Sequence, residues 1–110
     1  MDLYSQMLNL ITELDLSIKS LAKNGERLAE AERDYKTELA KQALQLKADG
    51  TAVTFINLVI YGQDEVARKR LERDIAEANY KANQEFINIT KLKLKICESQ
   101  LQREWGKDGK

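Results

Sequence analysis

The chain has 110 residues, room for one domain near the size where a single core is adequate but not generous. Its 18 Lys and Arg balance its 18 Asp and Glu, so no net charge draws it to nucleic acid or to an anionic membrane. It contains no His, no Pro and a single Cys, Cys97, which excludes an intramolecular disulfide and a Cys/His zinc site and removes the commonest acid–base side chain.

Glycine supplies the punctuation. Asp49-Gly50 and Gly62 divide the chain into a long first segment, a short apolar middle and a long last segment, and no Pro, Ser-rich or Gly-rich linker separates them. We therefore expect one domain over residues 1–110: a helix over about 2–48, a short helix over about 52–61, a helix over about 64–105 and a frayed tail at 106–110.

Alternate steps of three and four through the first segment meet Tyr4, Met7, Ile11, Leu14, Ile18, Leu21, Gly25, Leu28, Glu32, Tyr35, Leu39, Gln42 and Leu46. Ten of these thirteen positions are apolar, which is the rhythm of a coiled-coil-like seam. The phase survives Asn24-Gly25, so one continuous helix is predicted. Gly25 is read either as a tolerated weak point, costing about 1 kcal/mol relative to Ala, or as a gap that admits a large side chain from the facing helix.

The middle segment, TAVTFINLVIY, has strand-like composition but no second strand-like run to pair with. It is assigned as a short helix with Thr51 as N-cap and Gly62 just past its end. A strand pairing only with its copy in a second subunit is the rival. Its longest apolar stretch, Val53 to Tyr61, is about half of what a membrane helix needs. The first twenty residues interleave Asp2, Glu13 and Asp15 with apolar positions, unlike a secretory leader. A soluble, cytoplasmic protein without membrane attachment is the expectation.

Asp64 and Glu65 suit the positive end of the last helix. Along that helix one stripe runs Leu71, Ile75, Ala78, Ala82, Ile89, Leu92 and Ile96. A second runs Tyr80, Ile87, Leu94, Leu101 and Trp105 on nearly the opposite side. Helices joined this way run antiparallel, and a two-helix pair covers one face of each. The reading assigns the first stripe to the hairpin and leaves the second, with Leu3, Leu8, Leu10 and Leu16 of the first helix, as spare surface. Leu3, Leu10, Ile87, Leu94, Leu101 and Trp105 are accordingly expected to form a homo-oligomer interface, a dimer packing into a helical bundle, with Trp105 as its anchor. Cys97, between the stripes, reads as a small buried residue at that interface, in preference to a reactive thiol.

Arg68, Lys69, Arg70 and Arg73, with Lys91, Lys93 and Lys95, are the candidates for phosphate contact, although Glu72, Asp74 and Glu77 dilute them and no aromatic residues interleave. The bland reading of that stretch is a solvated face laced with ion pairs. Paired carboxylates such as Glu30 with Asp34 are what chance places on helices this charged. No glycine-rich phosphate loop, nucleophile elbow or metal-ligand spacing occurs. The chain is therefore not expected to be an enzyme or to carry a cofactor or metal.

The stretches LAEAERDYK (28–36), VTFI and GQDEVARKR within 53–70, AEANYKANQEFIN (76–88) and QLQREWG (100–106) resemble a group of small helical proteins encoded in the early regions of phages and prophages of Gram-positive bacteria. That resemblance implies an intracellular phage factor acting in DNA metabolism or on a host protein. It carries over no site residues. Secreted helical hairpins with a Trp-x-Gly motif in their turn have similar length, but here Trp105 and Gly106 are adjacent and far from any turn. The expected function is non-enzymatic, through oligomerisation and binding to an unidentified protein. A DNA-binding accessory role and inhibition of a host enzyme by a docked helix are the alternatives.

Overall fold

The computed structural model describes the backbone of residues 2–108 and the side chains of residues 2–106. It is an all-α helical hairpin: α1 spans Leu3–Ala48, α2 Val53–Val59, a 3-10 turn Ile60–Gly62, and α3 Asp64–Asp108. Among the described residues there is no strand, so the middle segment is helical.

Local chemistry sets each boundary. Asp2 opens α1 as its cap, Oδ1 accepting the Ser5 amide at 2.7 Å while its carbonyl accepts the Gln6 amide. Gly50, with φ 84°, closes α1: the Gly50 amide donates to Lys47 O and the Thr51 amide to Leu46 O, satisfying carbonyls that the helix end leaves open. The residue capping α2 is Ala52, in extended backbone and without a side-chain bond, not Thr51. Gly62 lies inside the 3-10 turn that tightens the end of α2, and Asp64 and Glu65 fill the first turn of α3. α3 continues to Asp108, past the boundary expected at 105, because Gly106 keeps a helical φ instead of the left-handed one that stops a helix. Of the tail expected at 106–110, residues 106–108 are helical and 109–110 lie outside the described residues.

The single domain expected from the sequence divides into two compact units, Asn24–Tyr80 and Met1–Lys23 with Lys81–Lys110. Each has its own buried centre.

In the unit Asn24–Tyr80, Tyr35, Ile56, Ile60 and Val66 form a buried cluster against which Leu39, Ala43 and Leu46 pack. The α2 segment thus shelters the turn between the long helices, as its apolar content suggests. It buries one side only: Ile56 and Ile60 point inward, while Phe55 and Leu58 stay exposed. α1 runs unbroken through Gly25, whose missing Cβ leaves room for the Tyr80 ring; a Cβ there would sit 3.3 Å from Tyr80 Cε2. The gap reading of Gly25 is the one the packing bears out.

In the other unit, residues 3–23 and 81–106 lie antiparallel. Asn83 Nδ2 donates to Ser17 O at 3.0 Å, and Cys97 Sγ donates to Leu3 O at 3.3 Å. Ile87, Thr90 and Cys97 are buried between them. Thr90 satisfies its hydroxyl within its own helix, on Phe86 O at 2.8 Å.

Candidate functional site

The inward face of α3 follows a strict three–four spacing. In the unit Asn24–Tyr80 it comprises Val66, Lys69, Arg73, Ala76 and Tyr80, and in the other unit Asn83, Ile87, Thr90, Leu94, Cys97 and Leu101. This inverts the assignment made from the sequence. Ile87 is buried, and Leu94 and Leu101 are partly buried against α1, so these three belong to the intrachain seam and not to an oligomer interface. Trp105 alone of the second stripe remains open, walling a shallow apolar groove with Met7 and Leu101.

A matching correction applies to α1. Leu3 and Leu10, assigned to the interface, are partly buried in the seam, whereas Tyr4, Ile11 and Ile18, assigned to the seam, are exposed. The two registers share Met7, Leu14 and Leu21 and differ by one residue at alternate positions. Ser17 decides between them, because a small residue there brings the α1 backbone within reach of the Asn83 amide.

Sequence reasoning missed the inward face because it is less apolar than the outward one. Its polar members are each accommodated: Asn83 by Ser17, Thr90 by its own helix, and Arg73 by stacking 4.7 Å over the buried Tyr35 ring, with its guanidinium bound to Asp74 at 2.8 Å. Cys97 is buried, but within the intrachain seam and not at the interface expected for it, with its thiol engaged.

What remains outside is the row that begins at Leu71. In the unit Asn24–Tyr80, Leu71 (60% exposed) and Ile75 (53%) face away from the seam with Ala78; in the other unit Ile89 (45%), Leu92 (58%) and Ile96 (52%) do so with Ala82, and Glu85 interrupts the three-four spacing between Ala82 and Ile89. Scattered exposed apolar residues are ordinary; three large ones at helical spacing on one side, Ile89, Leu92 and Ile96, are less so.

The four cations proposed for phosphate contact all have intrachain partners. Arg68 bridges Glu65 at 2.6 Å and Glu72 at 3.0 Å, Lys69 reaches Glu72 at 3.4 Å, and Arg70 lies 5.8 Å over the Tyr61 ring. Arg73 is the residue already placed over Tyr35. The Glu65 carboxyl is held below its usual titration range by the hydrogen bond from Arg68 and then by that residue's charge. By the same exchange the Arg68 and Arg73 guanidiniums are held above theirs, first by the hydrogen bonds they donate to Glu65 and Asp74.

Among the described residues no cluster of three or more His, Cys, Asp or Glu is placed to hold a metal ion, and no helix is long and apolar enough to cross a membrane. The chain matches no family model, no curated protein and no solved structure. The fold thus defines a class, the all-α helical hairpin, and function has to be argued from the surface of α3.

Proposed function

We propose that this chain is a non-enzymatic helical protein that works by self-association and protein–protein contact, and that the outward stripe of α3 is the surface it uses. The observation that supports this reading is the run Ile89, Leu92 and Ile96, at spacings of three and four on one side of α3 within its unit and each about half exposed in a single copy. A row at that spacing is what a second helix packs against, and water is a poor occupant for it. The phage setting suggested by the resemblance fits such a role, since assembly and partner binding need no catalytic residues.

Light scattering or sedimentation across a concentration series tests it. The wild-type chain is expected to show a mass that rises with concentration above that of one copy. Ile89→Glu with Leu92→Glu should hold the mass at one copy while leaving the helical circular dichroism signal in place. A wild-type chain that stays single at every concentration would sink the proposal.

For the nucleic-acid alternative, Arg68, Lys69 and Arg73 each pair with a carboxylate of the chain, which competes with phosphate contact. Salt-sensitive DNA binding abolished by replacing these residues with Ala would favour it.

A further inference from the structure

We infer that the chain associates head to tail through the unit Met1–Lys23 with Lys81–Lys110, an exposed row on α1 of one copy packing in parallel on an exposed row on α3 of the next. This deepens the self-association reading and rests on it. Within that unit α1 carries Tyr4, Leu8, Ile11, Asp15 and Ile18 in steps of four, three, four and three, and α3 carries Ala82, Phe86, Ile89, Lys93 and Ile96 in the same steps. Every member of both rows is exposed. The rows lie on opposite sides of the unit. One side is marked by the groove where Gln6 and Asn9 meet Lys93 and Ile96, the other by the groove where Met7 meets Gln102 and Trp105. At about 100° per residue, Phe86 and Ile89 fall with Lys93 on the first side, and Tyr4, Leu8 and Ile11 fall with Met7 on the second. A different row on each side is what head-to-tail stacking uses, one for the neighbour above and one for the neighbour below.

Equal steps let the rows meet position for position: Tyr4 on Ala82, Leu8 on Phe86, Ile11 on Ile89 and Ile18 on Ile96. At the remaining position Asp15 meets Lys93. Packed on a copy of itself, either row would set its charge on the same charge or on an apolar residue, so only the other row supplies the opposite charge. Because α1 and α3 run antiparallel in the unit, a neighbour rotated by half a turn about the stacking direction lays its α3 on α1 and its α1 on α3, each pair parallel. The same register then sets Lys91 of the first copy beside Glu13 of its neighbour. Glu13, Lys91 and Lys93 form no ion pair among the described residues, and the Asp15 pair with Lys19 is an exposed one, so these charges are available.

Blocking one row at a time tests the arrangement. L8E/I11E spoils the α1 row and F86E/I89E the α3 row, all at exposed positions. Sedimentation should find each variant alone at the mass of one copy where the wild type associates, since each lacks one of the two rows that a contact needs. Their equimolar mixture should reach the mass of two copies and stop there, because each variant keeps one intact row and nothing extends the pair. The wild type supplies a second arm. An equal mixture of isotope-labelled and unlabelled chains, treated with a water-soluble carbodiimide and mapped by mass spectrometry, should give amides between Asp15 and Lys93 and between Glu13 and Lys91 that join a labelled peptide to an unlabelled one.

A variant that associates alone as the wild type does overturns the head-to-tail contact and leaves the self-association reading intact. So does a mixture of the two helical variants that stays single. If either variant loses its helical signal, the wild-type crosslink map decides alone, and association with neither link between copies overturns the contact. A wild-type chain that stays single overturns both readings.

Discussion

A Cβ at Gly25 would meet Tyr80 Cε2 at 3.3 Å, a distance that obliges the ring to give way by a few tenths of an ångström. An exposed helical Gly replaced by Ala ordinarily gains about 1 kcal/mol. Here the crowded ring opposes that gain. We expect Gly25→Ala alone to alter stability by less than about 0.5 kcal/mol, and to stabilise by about 1 kcal/mol once Tyr80→Ala has emptied the gap. Urea unfolding of the four chains of this cycle checks it, and equal effects in both backgrounds would show that the gap is not used. A second residue-scale expectation concerns acid. Glu65 titrates lower in the folded chain than its ordinary 4.5, so its contribution is present above that value and is lost as the pH falls through the folded one. Comparing unfolding midpoints at neutral and acid pH, Glu65→Gln should flatten the acid limb relative to wild type. An identical limb would mean that the Arg68 pair contributes nothing.

Elements differ in which sides they bury, and substitutions two or three residues apart should report it. On the turn after α2, Ile60 is 5% exposed, and Ile60→Ala should cost roughly 2–4 kcal/mol by leaving a cavity beside Tyr35 and Val66. Leu58, 78% exposed on the other side of the same short helix, should cost less than about 0.5 kcal/mol when replaced by Ala. On α3 the contrast falls between two isoleucines. Ile87→Ala should destabilise a single copy by about 2 kcal/mol or more, whereas Ile89→Ala should do little to that copy and weaken its association. Dilute thermal melts and concentration-dependent mass measurements read the two effects separately. Reversed outcomes would mean that the faces of α3 are misassigned. Helix existence was legible from the sequence because periodicity and the glycine at position 50 suffice for it. The cap of α2 was not: Thr51 has the right chemistry, but the chain leaves the Gly50 turn one residue later than that chemistry suggests.

At the scale of the whole molecule, the same inversion changes what an interface test would mean. Leu94→Glu with Leu101→Glu, aimed at surface by the sequence reading, buries charge in the seam of its unit, so loss of helical signal is expected before any change in assembly. Ile89→Glu with Leu92→Glu is the pair that addresses association. Much else was already present in the amino-acid order: the all-helical class, two long helices and a short one, their junctions, and the fact that the last helix carries apolar rows on two sides. Periodicity can do that because it says which residues share a side of a helix. It cannot say which side turns inward when both sides carry a row. That choice fell to tertiary packing, which took the more polar row because Asn83 finds the Ser17 carbonyl, Arg73 finds the Tyr35 ring and Tyr80 finds the space above Gly25. These pairings join residues distant in sequence, so no local pattern announces them, and together they leave the greasier row of α3 facing out.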